Sequence, residues 1–158
     1  MKAITLWQPW ASLWACSAKK FETRSWATNY RGPIAIHAAQ KPFDTDTYLD
    51  RELYPFADAL GLPDIFSFDT LPYGCIIATA ELVGCHKMVL HGGRGISSTD
   101  SPWIETDKGI YIPTPEELLF GNWKPGRFAW EIKNIKLLPD PIPAKGKQGL
   151  WNWEGVAS

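Results

Sequence analysis

The sequence predicts a strand-rich α+β fold, and three observations carry that expectation. Four apolar segments, "KAITLW" (2–7), "PIAIHAA" (33–39), "GCIIATAELVGC" (74–85) and "RFAWEIKNIKLL" (127–138), either alternate polar with apolar residues or are rich in Ile, Val and Ala between Gly and Pro punctuation. Only short stretches between them have helical spacing. The chain has 158 residues and 45% hydrophobic content, enough for one domain with a real core.

"KAITLW" is the expected first strand. Pro9 then stands where a first helical turn tolerates a missing N–H, so a helix is expected over "WASLWACSAKK", ending near Ser17 to Lys20, with Trp14 one turn after Trp10 on its core side. The segments at 33–39, 74–85 and 127–138 make the body of the sheet. "DTDTYLDRELYPFADALG" (44–61) opens with capping residues and carries apolar positions at helical spacing, which predicts a helical excursion broken near Pro55. "TPEELLFG" (114–121) predicts a short helix, with Thr114 as N-cap, Pro115 at the first position, acids in the first turn and Gly121 as the stop. Region 86–109 has four Gly, many Ser and Thr and no stable period, and it reads as a long loop. No repeat and no clean linker divides the chain, so residues 1–158 are expected to form a single domain.

Several classes of protein do not fit. No apolar run has membrane-spanning length, and "MKAITLWQPW" lacks a secretory apolar region with a cleavage site, so a cytoplasmic protein without membrane association is expected. Cys16, Cys75 and Cys85 are odd in number and without framework spacing, which favours thiols over disulfides. "HGGRG" (91–95) lacks the GK[ST] ending of a phosphate loop, and Cys75, Cys85, His86 and His91 contain no CxxC or HxxxH pair, so neither metal nor cofactor is expected. There is no GxSxG elbow and no local cysteine-protease signature.

The net charge of -1 hides a segregated pattern. Residues 1–41 hold six basic side chains against Glu22 alone, residues 44–69 hold seven acids against Arg51, and residues 124–154 hold six basic side chains against three acids. If the two basic ends meet in space they form a surface for a polyanion, and the alternative is ordinary solvated surface. Nine tryptophans accompany this pattern, and their indole N–H groups favour sites at a surface or groove.

Charge and aromatic surface come together in "SAKKFETRSW" (17–26), which holds Lys19, Lys20, Glu22 and Arg24 beside Trp26. "SAKKFETR" resembles the G-x-K-x-x-E-x-R signature of the ASCH domain family, in the PUA-like superfamily. Lys19, Glu22 and Arg24 match, and Ser17 replaces the motif glycine. The order of "LWQPWASL", "ETRSW", "YRGPIAIHAA", "YGCIIATAELVGC", "SPW" (101–103) and the closing "KGKQGLWNW" is also similar to that of longer ASCH proteins.

The resemblance implies a small, mostly antiparallel PUA-like β-barrel with flanking helices and a cleft lined by the motif. In that cleft the Lys19 ammonium reaches solvent from a helix end to hold a phosphate or acyl oxygen, Glu22 orients it, and Arg24 either grips an anion or pairs with Glu22 or Glu81 to pin the barrel. Trp7, Trp10, Trp26, Tyr30 and Trp103 lie beside matched segments and suit base stacking; Gln8, Ser25 and Arg31 are further candidates for ligand contact. Glu81 interrupts an apolar strand, sharing a face with Thr79, and is either exposed or paired inside the cleft. In a branch of small ASCH amidohydrolases acting on N4-acetylcytidine, a lysine and a glutamate match Lys19 and Glu81, but the branch's threonine falls at Glu22. The expected function is therefore a module binding RNA or single-stranded nucleic acid. The alternatives are an amidohydrolase on a modified nucleoside or a ribonuclease using Lys19, Glu22 and Glu81, and a protein-interaction domain of a transcription or translation assembly.

Overall fold

A computed structural model describes residues 1–90 and 102–155. "HGGRG" and Ser101 of "SPW" lie outside the described residues. The elements are β1 (Lys2–Leu6), α1 (Trp10–Ala15), β2 (Phe21–Arg24), β3 (Gly32–Ala38), α2 (Asp50–Ala59), β4 (Cys75–Lys87), β5 (Ile104–Thr106), β6 (Gly109–Tyr111), α3 (Pro115–Phe120), β7 (Phe128–Pro143) and β8 (Leu150–Asn152). A six-stranded sheet has the order β2-β7-β4-β3-β1-β8, and β5 and β6 form a separate hairpin. β1 runs parallel to β3 and antiparallel to β8, while β2 is antiparallel to β7, so the sheet is mixed. The α+β class read from the sequence is the class observed.

The described chain falls into two compact units. One comprises Met1–Ala18, Pro33–Glu81 and the segment from Asn134 onward; the other comprises Lys19–Gly32 and Leu82–Lys133. The long strands β4 and β7 each pass from one unit into the other.

In the first unit, Ala3 of β1, Ala35 of β3 and Ile76 of β4 pack with Trp151 and Trp153. The closing "LWNW" is thus a core strand: alternation sends Trp151 and Trp153 inward and leaves Asn152 and Glu154 exposed. His37 of β3 is only 1% exposed; its Nε2–H donates to the Ala144 carbonyl at 2.8 Å, and its ring lies 5.7 Å from that of Trp151. Gly146 is required beside it, because a Cβ there would stand 2.7 Å from the imidazole. Burial pushes the His37 pKa below its ordinary value, against the opposing effect of the Ala144 hydrogen bond.

Helix α1 ends at Ala15, earlier than its apolar pattern suggests. Ser17 takes φ +65°, the left-handed conformation that closes many helices, and its N–H returns to the Trp14 carbonyl at 3.2 Å. The break expected at Pro55 is absent: α2 runs through it with Leu53, Phe56 and Ala57 buried. The hydrogen bond that Pro55 cannot make is to the carbonyl of Arg51, an exposed residue, so packing of the apolar face outweighs the loss. Leu49 supplies no side-chain cap to α2; instead its N–H donates to Glu52 at 2.7 Å.

The second unit centres on Phe21, Met88, Ile104, Trp123 and Ala129. α3 forms as predicted, with Thr114 Oγ1 accepting the Glu117 N–H at 3.2 Å. Where the segment 86–109 is described it differs from the expected loop: β4 continues to Lys87, Val89 bridges to Trp103, and Thr106 turns the β5–β6 hairpin. Buried Met88 and Ile104 anchor these parts, two apolar residues that the Gly- and Ser-rich composition obscures.

Candidate nucleic-acid interface

The motif segment is itself an edge strand, β2, which sequence patterning did not separate from the preceding helix. It pairs with β7 so that Glu22 faces Trp130 and Arg24 faces Phe128. Alternate residues share a face, so Phe21 and Thr23 project to one side and Glu22 and Arg24 to the other. Phe21 enters the core, and Thr23 Oγ1 accepts the Asn122 N–H at 2.9 Å. Thr23 is therefore turned away from Glu22 and committed to a turn.

On the opposite face the Lys19 ammonium donates to Glu22 Oε2 at 2.5 Å, and Arg24 Nη1 stands 3.9 Å from Oε1. Lys19 is 2% exposed, which corrects the expectation that it reaches solvent; a buried ammonium requires a partner, and Glu22 supplies it. Arg24 keeps 25% of its side chain exposed, so the outward cation of the motif is the arginine. Its guanidinium carbon lies 5.8 Å from the Trp26 ring centroid, within range of a cation–π contact. Trp26 is half-buried and meets Trp130 edge-on at 4.7 Å, while the Trp130 indole N–H donates to the Trp26 carbonyl at 3.3 Å. The surface offered to a ligand is thus a guanidinium beside an indole, backed by a neutralised ion pair.

Ser25 is exposed just past β2, and Tyr30 is half-buried. Arg31 is exposed, with Nη1 donating to the Thr28 and Tyr30 carbonyls at 2.9 and 2.8 Å. Trp103 is half-buried at its bridge to Val89.

Gln8, Trp10 and Glu81 belong to the other unit. Gln8 is 1% exposed and serves the start of α1: Nε2 donates to Ser12 Oγ and the Pro72 carbonyl, and Oε1 accepts the Ser12 N–H. Trp10 packs edge-on against Phe43 and Phe56. Together with Trp7, Lys41, Phe43 and Tyr48, these two residues line a cavity of about 220 Å³. Trp7 is 59% exposed, and the Lys41 ammonium lies 4.4 Å from its ring centroid. The sequence reading missed Lys41, Phe43 and Tyr48; the signal was "KPF", a cation and an aromatic immediately after a strand. Glu81 is exposed on β4 and accepts from Asn134 Nδ2 at 3.1 Å.

Among the described residues no three His, Cys, Asp or Glu side chains stand close enough to hold a metal ion. Among them also, no helix is long and apolar enough to cross a membrane.

Comparison with known proteins gives two matches of different reach. Over 105 residues the chain is 34% identical to Activating signal cointegrator 1 of Homo sapiens, an alignment covering 64% of this chain and 18% of that protein. The chain thus spans less than a fifth of that relative's length. Residues 4–139, from β1 into the far half of β7, match the ASCH domain family, and the chain belongs to that family.

Proposed function

We propose that this chain is a binding module for RNA or single-stranded nucleic acid. The observation that carries the reading is the Arg24–Trp26 pair: a partly exposed guanidinium beside a half-buried indole, with the nearby carboxylate already neutralised by buried Lys19. A guanidinium can hold a phosphate through paired hydrogen bonds, and an aromatic face accepts any base. Ser25, Tyr30 and Arg31 extend the same segment. The exposed Trp7 over the Gln8 and Trp10 cavity gives the other unit its own stacking surface.

Labelled single-stranded RNA and DNA titrated against the chain over a salt series test this. Binding is expected at low salt and weakens as salt rises, because each phosphate contact releases counterions. Trp7→Ala should weaken it by about 1–3 kcal/mol, the worth of one stacked base. Absence of binding at low salt, or binding indifferent to salt, rejects the proposal.

A hydrolytic use of the motif is a second reading, favoured by the pairing of the Lys19 ammonium with the Glu22 carboxylate, two residue types that serve general acid–base chemistry. Its substrate would be an N4-acylated cytidine. It meets two difficulties in the geometry: the Thr23 hydroxyl is held by Asn122, and Glu81 is engaged by Asn134. Acetate release from N4-acetylcytidine that Lys19→Ala abolishes would establish it.

A further inference from the structure

Lys19 and Lys20 are neighbours with opposite fates. Both precede β2, and Lys19 lies in the bend that leads into it. Lys19 is buried on Glu22, whereas Lys20 is exposed and holds its ammonium 4.7 Å from the Tyr111 ring centroid and 5.5 Å from that of Phe21. It opens onto a separate cavity of about 280 Å³, within the unit formed by Lys19–Gly32 and Leu82–Lys133.

Three lysines from three elements line this cavity: Lys20 from the approach to β2, Lys108 from the β5–β6 turn and Lys133 from β7. One carboxylate, Glu131, faces them, and it already accepts His86 Nε2–H at 2.9 Å. The lining therefore carries two more cations than anions. Like charges sharing a concave site raise its positive potential, which concentrates anions there. The stacking of Lys20 on Tyr111 holds one of the three ammonium groups in place.

We propose that this cavity is a phosphate site, distinct from the Arg24–Trp26 surface, that takes a phosphoryl or pyrophosphoryl group. Lysine suits this task because an ammonium is a compact charge that accepts phosphate oxygens from many directions. The phosphate can come from a nucleic-acid backbone or from a small phosphorylated ligand; the chemistry recognised is the same. Inorganic pyrophosphate is the probe that isolates it from base stacking.

Calorimetric titration of the intact chain with pyrophosphate at low ionic strength is the test. Binding is expected, weakened about tenfold or more by the double substitution Lys108→Gln with Lys133→Gln, since two charge-assisted contacts are lost. The charge-matched control, Lys136→Gln with Lys145→Gln, two exposed lysines outside this cavity, should leave it little changed. If the double variant also loses oligonucleotide affinity, the phosphate is a backbone one; if that affinity is retained, it is a small ligand's. No binding at millimolar pyrophosphate, binding unaffected by the double substitution, or equal weakening by the Lys136→Gln, Lys145→Gln control, which would signal net charge alone, overturns the proposal. None of these results depends on whether the Arg24 surface binds nucleic acid.

Discussion

The Lys19 ammonium and the Glu22 carboxylate meet at 2.5 Å where both residues are almost sealed from water, at 2% and 5% exposure. Removing one charge from such a pair strands the other. Lys19→Met should therefore destabilise the chain by about 3–5 kcal/mol, and Glu22→Leu by a similar amount. The double variant should recover most of the loss, because two apolar groups need no partner. Urea unfolding of the four proteins measures this, and additive losses would show that the pair is not coupled.

Arg24 should behave differently. Its side chain is a quarter exposed and its nearest Glu22 oxygen is 3.9 Å away, a looser contact than that of Lys19. Arg24→Met should therefore cost less stability than Lys19→Met. It should nevertheless reduce oligonucleotide affinity and lower the salt slope by about one. This reverses the division of labour that the sequence suggested, with lysine facing the ligand and arginine in the wall. Unfolding curves and salt-dependent titrations of the one variant decide it.

Ser17 holds φ +65°, a conformation that suits glycine, at the position where the family motif has one. Ser17→Gly should raise stability by up to about 1 kcal/mol, the steric relief being partly offset by a more flexible unfolded chain. Ser17→Val should lower it by more, since a branched Cβ crowds that conformation further. A thermal melt of each variant reads the sign.

His37 makes stability depend on pH. Its pKa is lowered in the folded state, so the unfolded chain binds a proton first as pH falls. Stability contributed by the neutral ring is fully present above the unfolded value of about 6.5 and is lost as pH drops from there to the folded pKa. The cause is geometric: Nε2–H serves the Ala144 carbonyl, while Nδ1 is buried without a hydrogen-bond partner among the described residues and would have to carry the added proton. His37→Gln should flatten this part of the stability profile. An unchanged slope in that variant would assign the dependence to other groups.

The sheet's longest strands and α3 were legible because their signals are local: a run of Ile and Ala, a Thr-Pro start, a Gly stop. β2 was not, because a strand that buries Glu22 and Lys19 has no apolar alternation to read, and its burial depends on a partner three residues away. β8 hid for another reason: "GLWNW" reads only as the closing segment of longer ASCH proteins, and a three-residue strand is too short to show the alternation that places both tryptophans in the core. The motif residues themselves were identifiable, but which cation faces outward was not, since it follows from packing against Trp26 and Trp130.

Glu117 occupies an unusual post. β2 is the last strand at its side of the six-stranded sheet, and the Glu117 carboxylate accepts the backbone N–H groups of Lys20 and Phe21 at 2.9 and 2.8 Å. An open strand edge is a template on which another chain can add a strand. Here the first donors of that edge are already taken, and Thr114 holds the backbone of the residue that takes them. The start of the border carrying the motif is thereby withheld from an added strand, because an incoming chain would find its first two donors already bound to a side chain of the same molecule.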